Sequence, residues 1–192
     1  MIQMPLTLDL KTTNLTDEQF YQLCIANRDL KFERTSDGKA IIMSPTGGET
    51  GNRNLKLIQQ LANWAEQDQT GIAFDSSSGF KLPNGAIRSP DVAWLRLERW
   101  NRLTLEQQAK FPPICPDFVG ELRSASDSLP MLQQKMSEYV ENGTRLGWLI
   151  NRQQRQVEIY RANQPKQVLD SPQTLSGEDV LCNFTLNVDL IW

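Results

Sequence analysis

Residues 117–123 (DFVGELR) and 146–150 (LGWLI) are apolar enough to be buried strands, and residues 130–142 between them read as a helix. Pro130 falls in the first turn of that helix and Gly143 stands just past its end. A chain built around this unit must cover its strands with helices, and the segments upstream supply them.

Thr16-Asp-Glu-Gln19 has the form of a capping box and opens a helix over 17–27 that carries Phe20, Leu23 and Cys24. Residues 30–35 alternate as a strand does, Ser36 to Lys39 make a tight turn, and 40–43 return as a second strand. Ser44-Pro-Thr-Gly-Gly48 breaks the pattern. A long helix over 49–67 follows, with Leu55, Ile58, Leu61, Ala62 and Ala65 in one stripe. Short strands are expected at 72–75, 79–82 and 87–95, with the turn Pro83-Asn-Gly85 between the last two. Residues 98–110 form a polar helix or lid-like insertion, and 111–116 a rigid connector. The tail holds extended stretches at 157–160, 167–169 and up to Trp192, which add antiparallel strands or pack on one edge. Helix, strands, helix, strand in this order implies an α/β (α+β) fold with a mixed sheet flanked by helices. At 192 residues the chain is expected to form one domain, 1–192.

The chain has no histidine, which excludes Ser-His-Asp and Cys-His catalysis and His-ligated metals. Its three cysteines are widely separated and form no CxxC pair, so they read as buried thiols in a reducing compartment. Residues 1–10 carry no Lys or Arg, and no apolar run approaches the ~18 residues of a membrane span, so a cytoplasmic protein with no membrane partner is expected. A net charge of -3 argues against a constitutive grip on nucleic acid. A local basic groove, or metal ions at an acidic site, would reconcile that charge with a phosphate substrate.

The residues suited to chemistry are acidic. Asp91 opens a strand that is otherwise apolar, and Glu121 sits inside another. A carboxylate in a buried strand costs several kcal/mol unless a cation, a metal or a proton compensates it. Alternation puts Glu121 and Arg123 on one face, and Lys135 lies in a row with Met131 and Tyr139 on the following helix, able to lean toward Glu121. Two carboxylates on adjacent strands with a lysine make an oxygen-ligand site for Mg²⁺ or Mn²⁺. Glu49, at the start of its helix, adds a ligand or a hydrogen bond to water. Taken singly, each has a plainer reading. Asp91 could cap a turn, Glu121 pair with Arg123 or Lys135, Lys135 snorkel to the surface, and Glu49 face the helix dipole.

Together these segments resemble the PD-(D/E)XK nuclease superfamily, and more closely a bacterial family of restriction-endonuclease-like proteins. The matching text is Met43-Ser-Pro-Thr-Gly-Gly-Glu49, Ser89-Pro-Asp91-Val-Ala-Trp, Pro116-Asp-Phe-Val-Gly-Glu121-Leu-Arg-Ser124, Lys135-Met-Ser-Glu-Tyr139 and Gly143-Thr-Arg-Leu-Gly-Trp148-Leu-Ile. The resemblance implies an αβββαβ core and hydrolysis of DNA phosphodiesters with Mg²⁺ or Mn²⁺. It implies Asp91 and Glu121 as metal ligands, Lys135 as the catalytic lysine moved onto the helix, and Glu49 as the acid of the first core helix. Arg123 stands where the superfamily's lysine often sits; always protonated, it is an auxiliary phosphate binder. The chain departs from the family pattern at Thr50, where histidine is common, at Ala125, where proline is usual, and at Gly120, usually a larger residue. The alternative is a nucleic-acid-binding or protein-interaction module on the same fold without turnover. A homodimer would use the apolar end Leu190-Ile-Trp192.

Overall fold

Thr16 caps the first α-helix as its sequence requires, its hydroxyl accepting from the Gln19 amide while the Gln19 side chain accepts from the Thr16 amide. The computed structural model describes residues 6–43 and 45–192. Residues 1–5, on which half of the expectation about the chain's start rests, and Ser44 of the expected break lie outside the described residues.

In chain order the elements are β1 (Leu6–Asp9), α1 (Asp17–Ala26), β2 (Lys31–Arg34), β3 (Lys39–Met43), α2 (Gly48–Asp68), β4 (Gly71–Phe74), β5 (Phe80–Lys81), β6 (Ile87–Arg88) and β7 (Val92–Arg96). Two short helices, α3 (Leu97–Trp100) and α4 (Leu105–Ala109), fill the polar insertion. Then come β8 (Phe118–Leu122), α5 (Leu129–Glu141), β9 (Leu146–Asn151), β10 (Gln156–Arg161), β11 (Gln167–Asp170), β12 (Thr174–Ser176) and β13 (Thr185–Asn187).

The central sheet is mixed, in the order β11-β10-β9-β8-β7-β4, with β8 and β9 parallel and every other pair antiparallel. The parallel pair is what α5 makes possible, because parallel neighbours need a crossover between them. A second, wholly antiparallel sheet runs β1-β3-β2-β6-β5. Leu57, Leu61 and Ala65 of α2 pack on one face of the central sheet, against Val92, Trp94, Phe118 and Trp148. Met136 and Tyr139 of α5 pack on the other, against Ala93, Val119 and Leu149. The alternation along β8 therefore sends Phe118 and Leu122 toward α2, and Val119 and Glu121 toward α5. Gly120 lies between these, where a Cβ would press on Val92 Cγ1 at 2.8 Å, which explains why no larger residue stands there.

Three expectations need correction. Residues 87–95 are not one strand: β6 belongs to the second sheet and β7 to the central one. The cause is local, since Pro90 has no amide to donate and the Ser89 amide donates to Glu33 Oε1 at 2.9 Å instead of to a ladder. The apolar end of the chain is not a free surface. Leu175, Leu181, Leu186, Val188 and Ile191 complete the core over α2, and only Leu190 of the last three residues is exposed. The apolar groups that suggested a dimer contact are thus largely consumed within the chain. Of the cysteines, Cys115 is buried, Cys24 half-buried and Cys182 exposed. No described helix is long and apolar enough to cross a membrane.

Candidate active site

The break at residues 89–91 is where the chain passes from one sheet to the other, and the candidate residues gather there. β7 and β8 pair with Val92 opposite Gly120 and Ala93 opposite Val119. One step further along that register, Asp91 comes level with Glu121. Asp91 Oδ2 accepts the Leu122 amide at 2.8 Å, so a backbone donor holds the carboxylate beside β8.

Lys135 reaches over from α5. Its ammonium lies 2.7 Å from Glu121 Oε1 and 2.7 Å from Glu33 Oε1, and it donates to the Ser89 carbonyl at 3.3 Å. Tyr139, one turn on, donates to Glu121 Oε1 at 3.4 Å. Glu33 comes from β2 of the other sheet and is 2% exposed. It also holds Arg88 at 3.2 Å, and Arg88 in turn holds Glu138 at 2.6 Å. Asp91 has no cation within ion-pair distance among the described residues, and four acids here face two bases.

The environment separates the carboxyls. Burial alone would raise Glu33, but Lys135 and Arg88 outweigh it and hold the group at about 2. Burial pushes Glu121 up to about 7; Lys135 opposes this, and the charges of Asp91 and Glu33 add to it. Asp91 is raised by burial, against the pull of Lys31 and the Leu122 amide. Burial would lower Lys135, but Glu121 and Glu33 hold it well above the ordinary lysine range, so it is a cation at any working pH.

These shifts set a pH signature for the metal-free protein. Glu33, depressed on folding, contributes stability above its ordinary 4.5 that is lost as pH falls toward 2. Glu121, raised on folding, contributes stability below 4.5 that is lost as pH climbs toward 7. The melting temperature should therefore fall between pH 5 and pH 7 by the equivalent of a few kcal/mol, and Glu121→Gln should remove most of that fall. A flat wild-type profile over that window would contradict the assignment.

Asp91, Glu121 and Lys135 all line a cavity of about 860 Å³ whose walls also include Lys31, Thr50, Asn54 and Ser89. The donor set suits a hard divalent cation. Burial disfavours the ionised form of both carboxyls, a cost that a bound cation would offset, and Asn54 Oδ1 is buried without a hydrogen-bond partner. No cluster of three or more Asp, Glu, His or Cys converges among the described residues. Two carboxylates with water and substrate oxygens are a Mg²⁺-type arrangement, not a closed protein cage.

Two of the sequence-derived site residues do not join this group. Glu49 stands in the first turn of α2, but it is exposed and binds Arg152 at 2.5 Å and Arg53 at 3.5 Å, away from the cavity. The face that α2 turns to the cavity carries Thr50 and Asn54, one turn apart. Arg123 falls just past the end of β8, and its guanidinium donates to the Asp127 carbonyl and to Asn151 Oδ1, so it does not accompany Glu121. Glu33 and Asn54 were missed. Glu33 had a signal, because it is the one acid in the alternating segment 30–35, but its partners come from a different sheet and a distant helix. Asn54 had none.

Residues 17–189 match the model of the Uma2 family, described as "Putative restriction endonuclease". Among solved structures, the chain is similar to "a putative nuclease belonging to DUF820" from Anabaena variabilis ATCC 29413. The TM-score is 0.74 at 19% identity, over 92% of this chain and 97% of that one, which is a likeness of fold. No curated protein matches the chain.

Proposed function

Because the chain belongs to the Uma2 family of restriction-endonuclease-like proteins, we propose that it is a divalent-metal-dependent endonuclease that hydrolyses DNA phosphodiester bonds in the cytoplasm. One observation carries the reading: Asp91 and Glu121 stand level on neighbouring strands at a cavity, with Lys135 against Glu121.

In this proposal Asp91 and Glu121 hold the cation, Mg²⁺ or Mn²⁺. A cation held there supplies positive charge against the phosphoryl oxygens and makes nearby water more acidic. The Leu122 amide fixes Asp91, and Tyr139 and Lys135 fix Glu121. Lys135 is protonated, so it serves as a donor that orients the attacking oxygen and stabilises charge on the phosphate, and it takes no proton. Asn54 lines the same cavity, and its buried Oδ1 has no hydrogen-bond partner among the described residues. Arg123 and Glu49 have no part in these steps. The rival reading, a binding module without turnover, draws on the same contacts, because Lys135 between two carboxylates is also how a structural ion pair is built.

The test is relaxation and linearisation of supercoiled plasmid with Mg²⁺ or Mn²⁺, alongside calorimetric titration with Mn²⁺. Cleavage that a chelator abolishes and that Asp91→Asn and Glu121→Gln each reduce by at least ~100-fold is expected, since even outer-shell partners of a metal are worth up to that factor. Wild-type protein that gives neither Mn²⁺ heat nor cleavage, yet binds DNA in a salt-sensitive way, favours the binding module instead.

A further inference from the structure

Lys135 is already neutralised by Glu121 and Glu33, so the positive charge that meets the rest of a DNA strand must come from elsewhere. The chain has twenty Lys and Arg residues, and most are paired with carboxylates. Among the described residues only Arg28, Lys31, Lys56, Arg96, Arg123 and Arg155 have no ion pair. The residues outside the description include no acid, so they hide no carboxylate partner. Arg28 and Lys31 are the two of these six that line the cavity holding Asp91 and Glu121. Arg28 lies in the turn between α1 and β2, and Lys31 opens β2.

We infer that this turn is the DNA-backbone clamp of the protein, with Arg28 and Lys31 contacting phosphates that flank the one held at Asp91 and Glu121. The inference rests on the nuclease reading. Charge counting favours it, because the cavity walls carry Asp29, Asp91, Glu121 and Asp127 against Arg28, Lys31 and Lys135. A polyanion enters such a cavity only where unpaired cations receive it. Three residues apart across a turn, an exposed arginine and a half-buried lysine meet successive phosphates as positioning contacts that read no sequence.

The experiment is fluorescence anisotropy of a labelled duplex across a KCl series, with Ca²⁺ replacing Mg²⁺ so that binding is read without cleavage. The variants are Arg28→Gln/Lys31→Gln and, as a control, Lys56→Gln/Arg155→Gln, which removes two unpaired cations away from the cavity. The clamp predicts that the slope of log K against log salt shrinks by about 1.8 in the first pair, at ~0.9 per phosphate contact, with low-salt affinity falling by ten-fold or more. The control should keep the wild-type slope. If Arg28→Gln/Lys31→Gln melts below wild type, the single charge reversal Lys31→Glu replaces it, with an expected slope loss of about 1 or more. An unchanged slope in the cavity variants, with cleavage by wild type intact, overturns the clamp alone. Wild-type protein that binds no duplex at any salt overturns the clamp and the nuclease reading together.

Discussion

Lys135→Met should lower the melting temperature by about 6–20 °C at pH 7. The figure follows from ~3–5 kcal/mol for removing one partner of a buried ion pair and ~2–4 °C per kcal/mol in a chain of this size. The substitution keeps an unbranched apolar stem but deletes the ammonium, and with it the cation–π contact at 5.8 Å from the Tyr139 ring centroid. Glu33 keeps Arg88 and the Ser89 amide, but Glu121 keeps only the Tyr139 hydroxyl. The loss should therefore fall mainly on Glu121, whose carboxyl rises further and takes up a proton. Because a raised acid loses its contribution as pH climbs, the deficit should be larger at pH 7 than at pH 5. Lys135→Arg restores charge but not shape, since a planar fork cannot replace a compact ammonium at 2.7 Å from two carboxylates. It should recover part of the stability and little of the cleavage. A loss under ~1 kcal/mol, equal at both pH values, would mean that the lysine lies at the surface and has no hold on Glu121.

Asp91→Asn should act with the opposite sign. Asp91 has no described ion-pair partner and its carboxyl is raised by burial, so its ionised form is a strain on the metal-free fold. Asparagine can still accept the Leu122 amide, the contact that Asp91 makes at 2.8 Å. The metal-free variant should melt several degrees above the metal-free wild type. Mn²⁺ should then reverse the order. At 100 times its dissociation constant a ligand stabilises by ~2.7 kcal/mol, or about 5–11 °C here, and only the wild type should gain it. Melting curves of both proteins with and without Mn²⁺ give the four values needed. If Asp91→Asn melts lower without metal and rises as much as wild type with it, Asp91 is a structural cap and not a ligand.

Glu49 and Arg123 lie outside the group around Glu121 for one physical reason. The sequence shows that Glu49 starts a helix, yet a helix repeats every 3.6 residues and a shift of one residue turns a side chain by ~100°. That shift gives the cavity to Thr50 and Glu49 to Arg152. Strand alternation sets Arg123 beside Glu121 only while the strand lasts, and β8 ends at Leu122. Lys135 does lean onto Glu121, because both its helix and the strand beneath it are strongly periodic and the face of each is readable in the sequence.

Local chemistry in the sequence determined a great deal: the capping box of α1, the stripe of α2, the apolar strands β8 and β9 with a helix between them, and acids planted in apolar surroundings. These are properties of residues a few positions apart, and neighbours along the chain suffice to specify them. Only the tertiary structure decided that Asp91 comes level with Glu121, that Glu33 crosses from a second sheet to share Lys135, and that the end of the chain closes the core over α2. Those outcomes depend on strand register and on how two sheets meet, and both are settled by packing among residues far apart in the chain.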